Sequence, residues 1–320
     1  MPFVKVSKAT VHTVYYIRKW RKSIMKNKQS PPAKIHINAG FLVGPTGIGA
    51  AKLMLDAENG KTAAEYNFSL YSNPAEILSA LASGALDIAA VPTNAAGVLY
   101  NTTGGRIKII AVSTMSVLYV LENGGSVHDV SDLRGKTVYI TDKGSNPEYI
   151  MKYLLRKAGA ESRIEFAGAG EIITRMTSGD IKISVLPEPA ATLVLMQNAD
   201  VRRAVDLGKA WEKYGGKIVQ GCIAASAGEN AVKAFLPDYK ASVLFMSDPA
   251  NIDEAAALSV KYGMMGSVDL AKKAIPNCGL TFISGRETMK EVVSGYFGAL
   301  NGAFPDSVGG KVPDDDFYCE

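Results

Sequence analysis

Two rhythms of apolar and polar positions alternate along the chain from Lys34 onward. The run "KIHINAG" repeats every second residue and predicts a strand, and a helical spacing follows from about Gly47. Next come "YNFSLYS", a second strand, and a helix from Pro74 to Ser83. "LDIAAVPT", a short helix after Asn94 and the long apolar run "IKIIAVSTMSVLYVL" continue the series. Strands alternating with helices of about ten residues predict βαβ units around a largely parallel sheet.

The pattern then repeats itself. "EILSALASGALDIAAVPTNA" (Glu76 to Ala95) aligns without gaps to "EIITRMTSGDIKISVLPEPA" (Glu171 to Ala190) at an offset of 95. Identities include Glu76/Glu171, Ser83/Ser178, Gly84/Gly179, Pro92/Pro187 and Ala95/Ala190. Upstream, Gly44 pairs with Gly144 and Lys52 with Lys152 at an offset of 100, each after a short strand. Two similar α/β lobes are therefore expected, 35–120 and 121–215. The third segment, 216–320, reads as mainly helical ("ENAVKAFLPDYKASVLFM", "DEAAALSVKYG", "RETMKEVVSGYFGAL") with one strand, "LTFIS". It is too poor in strands for a third lobe and is expected to complete the first. The chain would then cross between lobes near 121–130 and 210–220.

Charge is distributed unevenly. Residues 1–34 hold nine Lys or Arg and no acid, so the body carries 26 basic against 31 acidic side chains and a net charge of −5. A mildly acidic body is a poor partner for nucleic acid. The basic head 1–34 is expected to be poorly ordered. It has no apolar core or small-residue cleavage site, so it does not read as a secretory signal. No cysteine precedes Cys222, so no lipidation site is expected at the start. Cys222, Cys278 and Cys319 are too far apart for a C-x-x-C centre, and His12, His36 and His128 are scattered. Neither metal nor cofactor chemistry is expected.

The stretch "GPTGIGAAKL" tests for a nucleotide site and fails. Gly44 and Gly49 have P-loop spacing, but Ala50 and Ala51 stand where Lys and Ser or Thr are required. A dinucleotide fingerprint would need glycine at Lys52. What remains is a glycine turn opening a helix, with a counterpart, "GSNPE", in the second lobe. In an open parallel sheet, ligands bind beyond the C-terminal strand ends, where helices begin. A helix start has unpaired N–H groups and a partial positive charge, so it can hold a polar or anionic group without a lysine. Two such starts facing each other suit a small polar ligand; ordinary capping by Thr46 or Ser145 is the alternative.

These features together resemble the extracytoplasmic solute-binding proteins of ABC importers, in the group that includes sulfonate, nitrate and thiamine-pyrimidine binders. The resemblance runs from about Lys34 to Tyr318, on "GPTGIGAAKLM", "LDIAAVPTN", "VLYVLENG", "DLRGKTVYIT", "GSNPEYIMKYLL", "VLPEPA" and "IPNCGLTFI". It implies the type II periplasmic-binding-protein fold, a monomer that closes on a small solute, and an ABC permease with its ATPase as partners. It also implies an extracytoplasmic location, without catalysis. The ligand-facing turns of that group fall on Thr46 and Gly47, Ser72 and Asn73, Thr93 and Asn94, Ser145 and Asn146, and Glu188. Enzymes of pyrimidine synthesis share the resemblance but need clustered cysteines and reactive histidines. Regulators of the same fold need a helix-turn-helix that the 34-residue head is too short to hold.

Three further expectations concern single residues. Glu188 stands where Thr93 stands in the other lobe, fixed between Pro187 and Pro189, and is expected to face a cationic group of the solute. Cys222 and Cys278 are expected in the first lobe, either bridged across about 55 residues or as buried free thiols. Tyr71, Tyr100, Tyr119 and Tyr149 lie near strand ends or helix starts, available to stack on a ring or to pack.

Overall fold

The elements follow the predicted rhythm closely through the first half of the chain. They run β1 (His36–Leu42), α1 (Pro45–Ile48), α2 (Ala51–Glu58), β2 (Glu65–Tyr71), α3 (Pro74–Ser83), β3 (Ile88–Pro92), α4 (Thr93–Thr102), β4 (Lys108–Met115) and β5 (Leu118–Asn123). The second half holds β6 (Thr137–Thr141), α5 (Asn146–Lys157), β7 (Arg163–Ala167), α6 (Ala169–Ser178), β8 (Ile183–Pro187), α7 (Ala190–Gln197), β9 (Val201–Asp206) and α8 (Leu207–Glu212). The chain ends with β10 (Val219–Ala225), α9 (Glu229–Ser247), α10 (Ile252–Lys261), α11 (Val268–Ala274), β11 (Leu280–Ile283) and α12 (Arg286–Ala303). This computed structural model describes residues 34–141, 143–214, 216–226 and 228–319; the basic head 1–33 lies outside the described residues.

Among the described residues eleven strands form two mixed sheets, a six-stranded one in the order β11-β4-β10-β3-β1-β2 and a five-stranded one in the order β7-β6-β8-β5-β9. The expectation of largely parallel sheets needs correction. β10 is antiparallel to both β3 and β4, and β5 is antiparallel to both β8 and β9. Each of these two strands is the first one formed after the chain changes sheets; the second sheet thus has β5 reversed, and the first has β10 and also β11, which is antiparallel to β4. The apolar run 107–121 is two strands in different sheets, and the first crossing falls at Ser116–Val117, not at 121–130. The third segment contributes two strands, because β10 joins the first sheet beside β3.

The internal repeat is structural. α3 and α6 both stop at a glycine in the left-handed region, Gly84 (φ 79°) and Gly179 (φ 85°), and β3 and β8 follow at matching positions. A side chain at either φ would be strained, which is why the shared "SG" ends both helices.

Apolar side chains fill both faces of the first sheet. One cluster holds Phe41, Ile223, Phe235 and Tyr239 beneath α2 and α9, with the Phe235 and Tyr239 rings stacked at 5.2 Å. A second cluster holds Leu81, Cys222, Tyr296 and Phe297 and continues through Trp211 into Leu133, Ile140 and Leu154 of the second lobe. Along that side the two lobes share a continuous core.

Candidate functional site

The topology brings one edge of each sheet together. β1, β3 and β4 end there in the first sheet, at Leu42, Pro92 and Met115, and β10 begins there. β6, β8 and β9 end at the facing edge of the second sheet, and β5 begins there. Asn146 of α5 reaches from one edge to the other: its Nδ2 donates to Gln220 Oε1 of β10 at 3.3 Å.

The glycine turn at the first edge is built by close packing. Gly44 has φ 102°, and a Cβ on Gly47 would lie 2.0 Å from Leu42 O, so glycine is required at both. The Gly47 N–H donates back to Gly44 O at 3.0 Å. This corrects the expectation that the glycines offer their amides outward, because Gly47 spends its amide inside the turn. α1 is one turn long, and the helix resumes at Ala51. Thr46 packs over Gly221 of β10, where a Cβ would lie 2.9 Å from Thr46 Cγ2. The Thr114 hydroxyl lies beside it, donating to Pro45 O at 3.4 Å.

Thr93 and Asn94 open α4 at the same edge and are buried. Asn94 Nδ2 donates to Ser307 O at 3.2 Å. Thr93 Oγ1 and Asn94 Oδ1 have no conventional hydrogen-bond partner among the described residues. The Cys222 thiol lies next to the Thr93 hydroxyl; burial pushes this thiol up to about 12, and the hydroxyl lowers it slightly. Ser72 and Asn73 are exposed at the end of the outer strand β2, and Asn73 Oδ1 caps α3 by accepting from Ala75 N at 2.9 Å.

At the second edge the sequence candidates are largely engaged by the protein. Ser145 Oγ donates to Thr141 O at 2.9 Å rather than capping α5. The Glu148 carboxylate accepts from Gly144 N and from Lys152, each at 2.5 Å, and so occupies the positive end of that helix. Asn146 Oδ1 accepts from the Tyr296 hydroxyl at 2.5 Å.

Glu188 is 1% exposed and paired with Arg203. Its other oxygen accepts from Thr192 N at 3.2 Å, while Arg203 also donates to Thr192 Oγ1 at 2.7 Å and lies over the Tyr119 ring. The expectation that Glu188 awaits a cationic solute group is corrected: its charge is met inside the second lobe. Burial, with Asp206 and Glu188 nearby, pushes the Tyr119 phenol up to about 12.

Cys222 and Cys278 are free thiols, which corrects the bridged alternative. They sit in different core clusters, Cys222 with Val112 on one face of the first sheet and Cys278 with Ala111 and Ile223 on the other. All four tyrosines weighed for stacking have protein partners: Tyr119 with Arg203, Tyr149 with Phe304, Tyr100 with Asp314 and Phe317, and Tyr71 against the core of the first lobe. No group of His, Cys, Asp and Glu among the described residues is placed to hold a metal ion. No helix among them is long and apolar enough to cross a membrane.

Solved structures match this arrangement over most of its length. A protein described as an ABC transporter from Parabacteroides distasonis superposes with a TM-score of 0.77 at 23% identity, covering 89% of this chain and 98% of that one. The periplasmic aliphatic sulphonate binding protein of Escherichia coli gives 0.71 at 14% identity, covering 88% and 91%. The periplasmic nitrate-binding protein of Synechocystis PCC 6803 gives 0.59 at 13% identity, covering 90% and 88%. The fold is that of type II periplasmic binding proteins. No protein-family model matches the sequence, and no curated protein matches it.

Within this type II fold, four residues at the facing edges escaped the sequence reading: Arg203, Gln220, Tyr296 and Thr114. Arg203 lies 15 residues from Glu188, beyond α7, and Tyr296 lies 150 residues from Asn146. Only a charge requirement could have found Arg203. A buried carboxylate needs a partner, but several basic residues were available in sequence.

Proposed function

We propose that the protein binds one small polar solute between its two lobes and passes it to a membrane permease driven by an ATPase. The observation that carries this reading is the opposition of the two sheet edges, each with a helix start and uncharged polar side chains, beside which the charges of the second edge are paired within the protein. The fold shared with periplasmic binding proteins supports it. One moving lobe comprises β1 to β4 together with the chain from Val219 onward, and the other runs from β5 to α8. Thr46, Thr93 and Asn94 hold the solute from the first lobe and Ser145 from the second. Ser72 and Asn73 stand at the rim, and Gly47 shapes the turn beneath. Thr93 Oγ1 and Asn94 Oδ1, buried without conventional partners, are the groups with most to gain from a ligand donor. The site of action is outside the cytoplasmic membrane, and the unit of action is a monomer.

A thermal-shift screen of sulfonates, nitrate, aminopyrimidines and other small polar compounds tests the reading. At a hundred times its dissociation constant a true ligand adds about 2.7 kcal/mol, a shift of a few degrees for a chain of this size. The compound should be recovered unchanged. Conversion to a product would replace capture with catalysis.

A further inference from the structure

One face of α5 carries Asn146, Tyr149, Tyr153 and Arg156, at the three- and four-residue spacing that stacks side chains along a helix. The lower part of this stripe meets the first lobe and the second crossing through rings. Tyr149 lies 5.5 Å from Phe304, the Arg156 guanidinium stands 5.1 Å over the same ring, and Tyr153 stacks on Trp211 at 4.3 Å. Trp211 in turn touches Tyr296 of α12 at 5.6 Å. The Tyr153, Trp211 and Tyr296 rings are buried, Tyr149 and Phe304 are half-buried and Arg156 is exposed, so separating the buried rings is the costly part.

The stripe's cleft end differs in kind. Asn146 meets the other lobe through polar bonds, accepting from the Tyr296 hydroxyl and donating to Gln220. Tyr296 is fully buried and Asn146 is 6% exposed. Separating the lobes here would leave a phenol and a carboxamide in need of water, whereas the aromatic part can act as a pivot. Burial raises the Tyr296 phenol above its ordinary range, so the hydroxyl keeps its proton and remains a donor at neutral pH.

We propose that Asn146 is an interlobe latch, which sets how far the cleft is closed by bonding Tyr296 and Gln220 and does not itself hold the solute. This rests on the reading of the protein as a two-lobed binder. Asn146 is then a positioning residue: it acts on solute affinity through the fraction of closed molecules. It also explains why a short polar residue is used at the cleft end of an aromatic stripe. A ring at 146 would extend the apolar seam to the sheet edges and hold the cleft shut.

Small-angle scattering of the full chain, without added solute, tests the latch on Asn146→Ala, Tyr296→Phe and the double variant. Losing one buried bond should multiply the open population about fivefold to tenfold, read as a larger radius of gyration than wild type. The double variant should be no larger than Asn146→Ala, which already removes both the Tyr296 and the Gln220 bonds. Tyr296→Phe keeps the ring contacts, so its melting curve should stay cooperative. Radii equal to wild type in both single variants would overturn the latch, as would expansion that appears only with loss of cooperative melting. Scattering reads lobe opening without any solute, so equal radii would leave solute capture standing. A failure to find a solute would not alter the scattering result.

Discussion

Replacing Glu188 by Gln separates two roles for one carboxylate. If its task is to neutralise Arg203, the loss falls on stability. Removing one member of a buried pair costs about 3–5 kcal/mol. The Arg203 side chain is 30% exposed, so water offsets part of that and about 1–3 kcal/mol is expected. The melting temperature should fall by a few degrees, Arg203→Ala should lower it similarly, and the double change should cost less than the sum. Unchanged melting of Glu188→Gln, with weaker binding of an identified solute, would return Glu188 to the binding site. The position of Glu188 at the end of β8 was legible from its repeat partner, but its orientation was not. Nor was its pairing, because nothing in local pattern says which arginine crosses from a neighbouring strand.

A second residue has a pH signature. Glu122 is buried, which raises its pKa, but bonds from Ser126, Val127 and Arg202 outweigh that and hold the carboxyl below its ordinary 4.5. A depressed pKa in the folded state adds stability above the unfolded value, and that stability is lost as pH falls through the folded one. The melting temperature of Glu122→Gln should therefore lie below wild type at pH 7, with the gap narrowing below about pH 4.5. A gap that is constant down to pH 3 would contradict the bonding described.

At the scale of elements, the first sheet separates the cysteines by its two faces. Thiol titration of unfolded, unreduced protein should count three free thiols; a count of one would show a bridge that this packing forbids. In the native state Cys222 should react slowly, since burial pushes its thiol up to about 12. The repeated helix–"SG"–strand units were legible because glycine is the residue most often found in the left-handed position that ends a helix. β4 and β5 merged in the sequence because Ser116–Val117 carries no glycine or proline to mark a break. β10 was missed for the opposite reason: Gly221, Ala224 and Ala225 are small, so their burial produces little hydropathy contrast. At Gly221 the close approach of Thr46 and Thr114 leaves little room for a side chain.

At the scale of the whole molecule, two lobes share an apolar core on one side and are proposed to grip a solute on the other. The fold was readable from the repeat together with the opening glycine turn. The solute was not, since the residues proposed to hold it stand on elements as far apart as α1 and the start of α5, and their joint geometry depends on how the lobes meet. Native mass spectrometry of protein purified without unfolding tests the claim most directly. The prediction is one small polar molecule per chain, released on unfolding and chemically unchanged. A chain that carries none and takes none up from a small-molecule extract, or one that releases an altered compound, would contradict it.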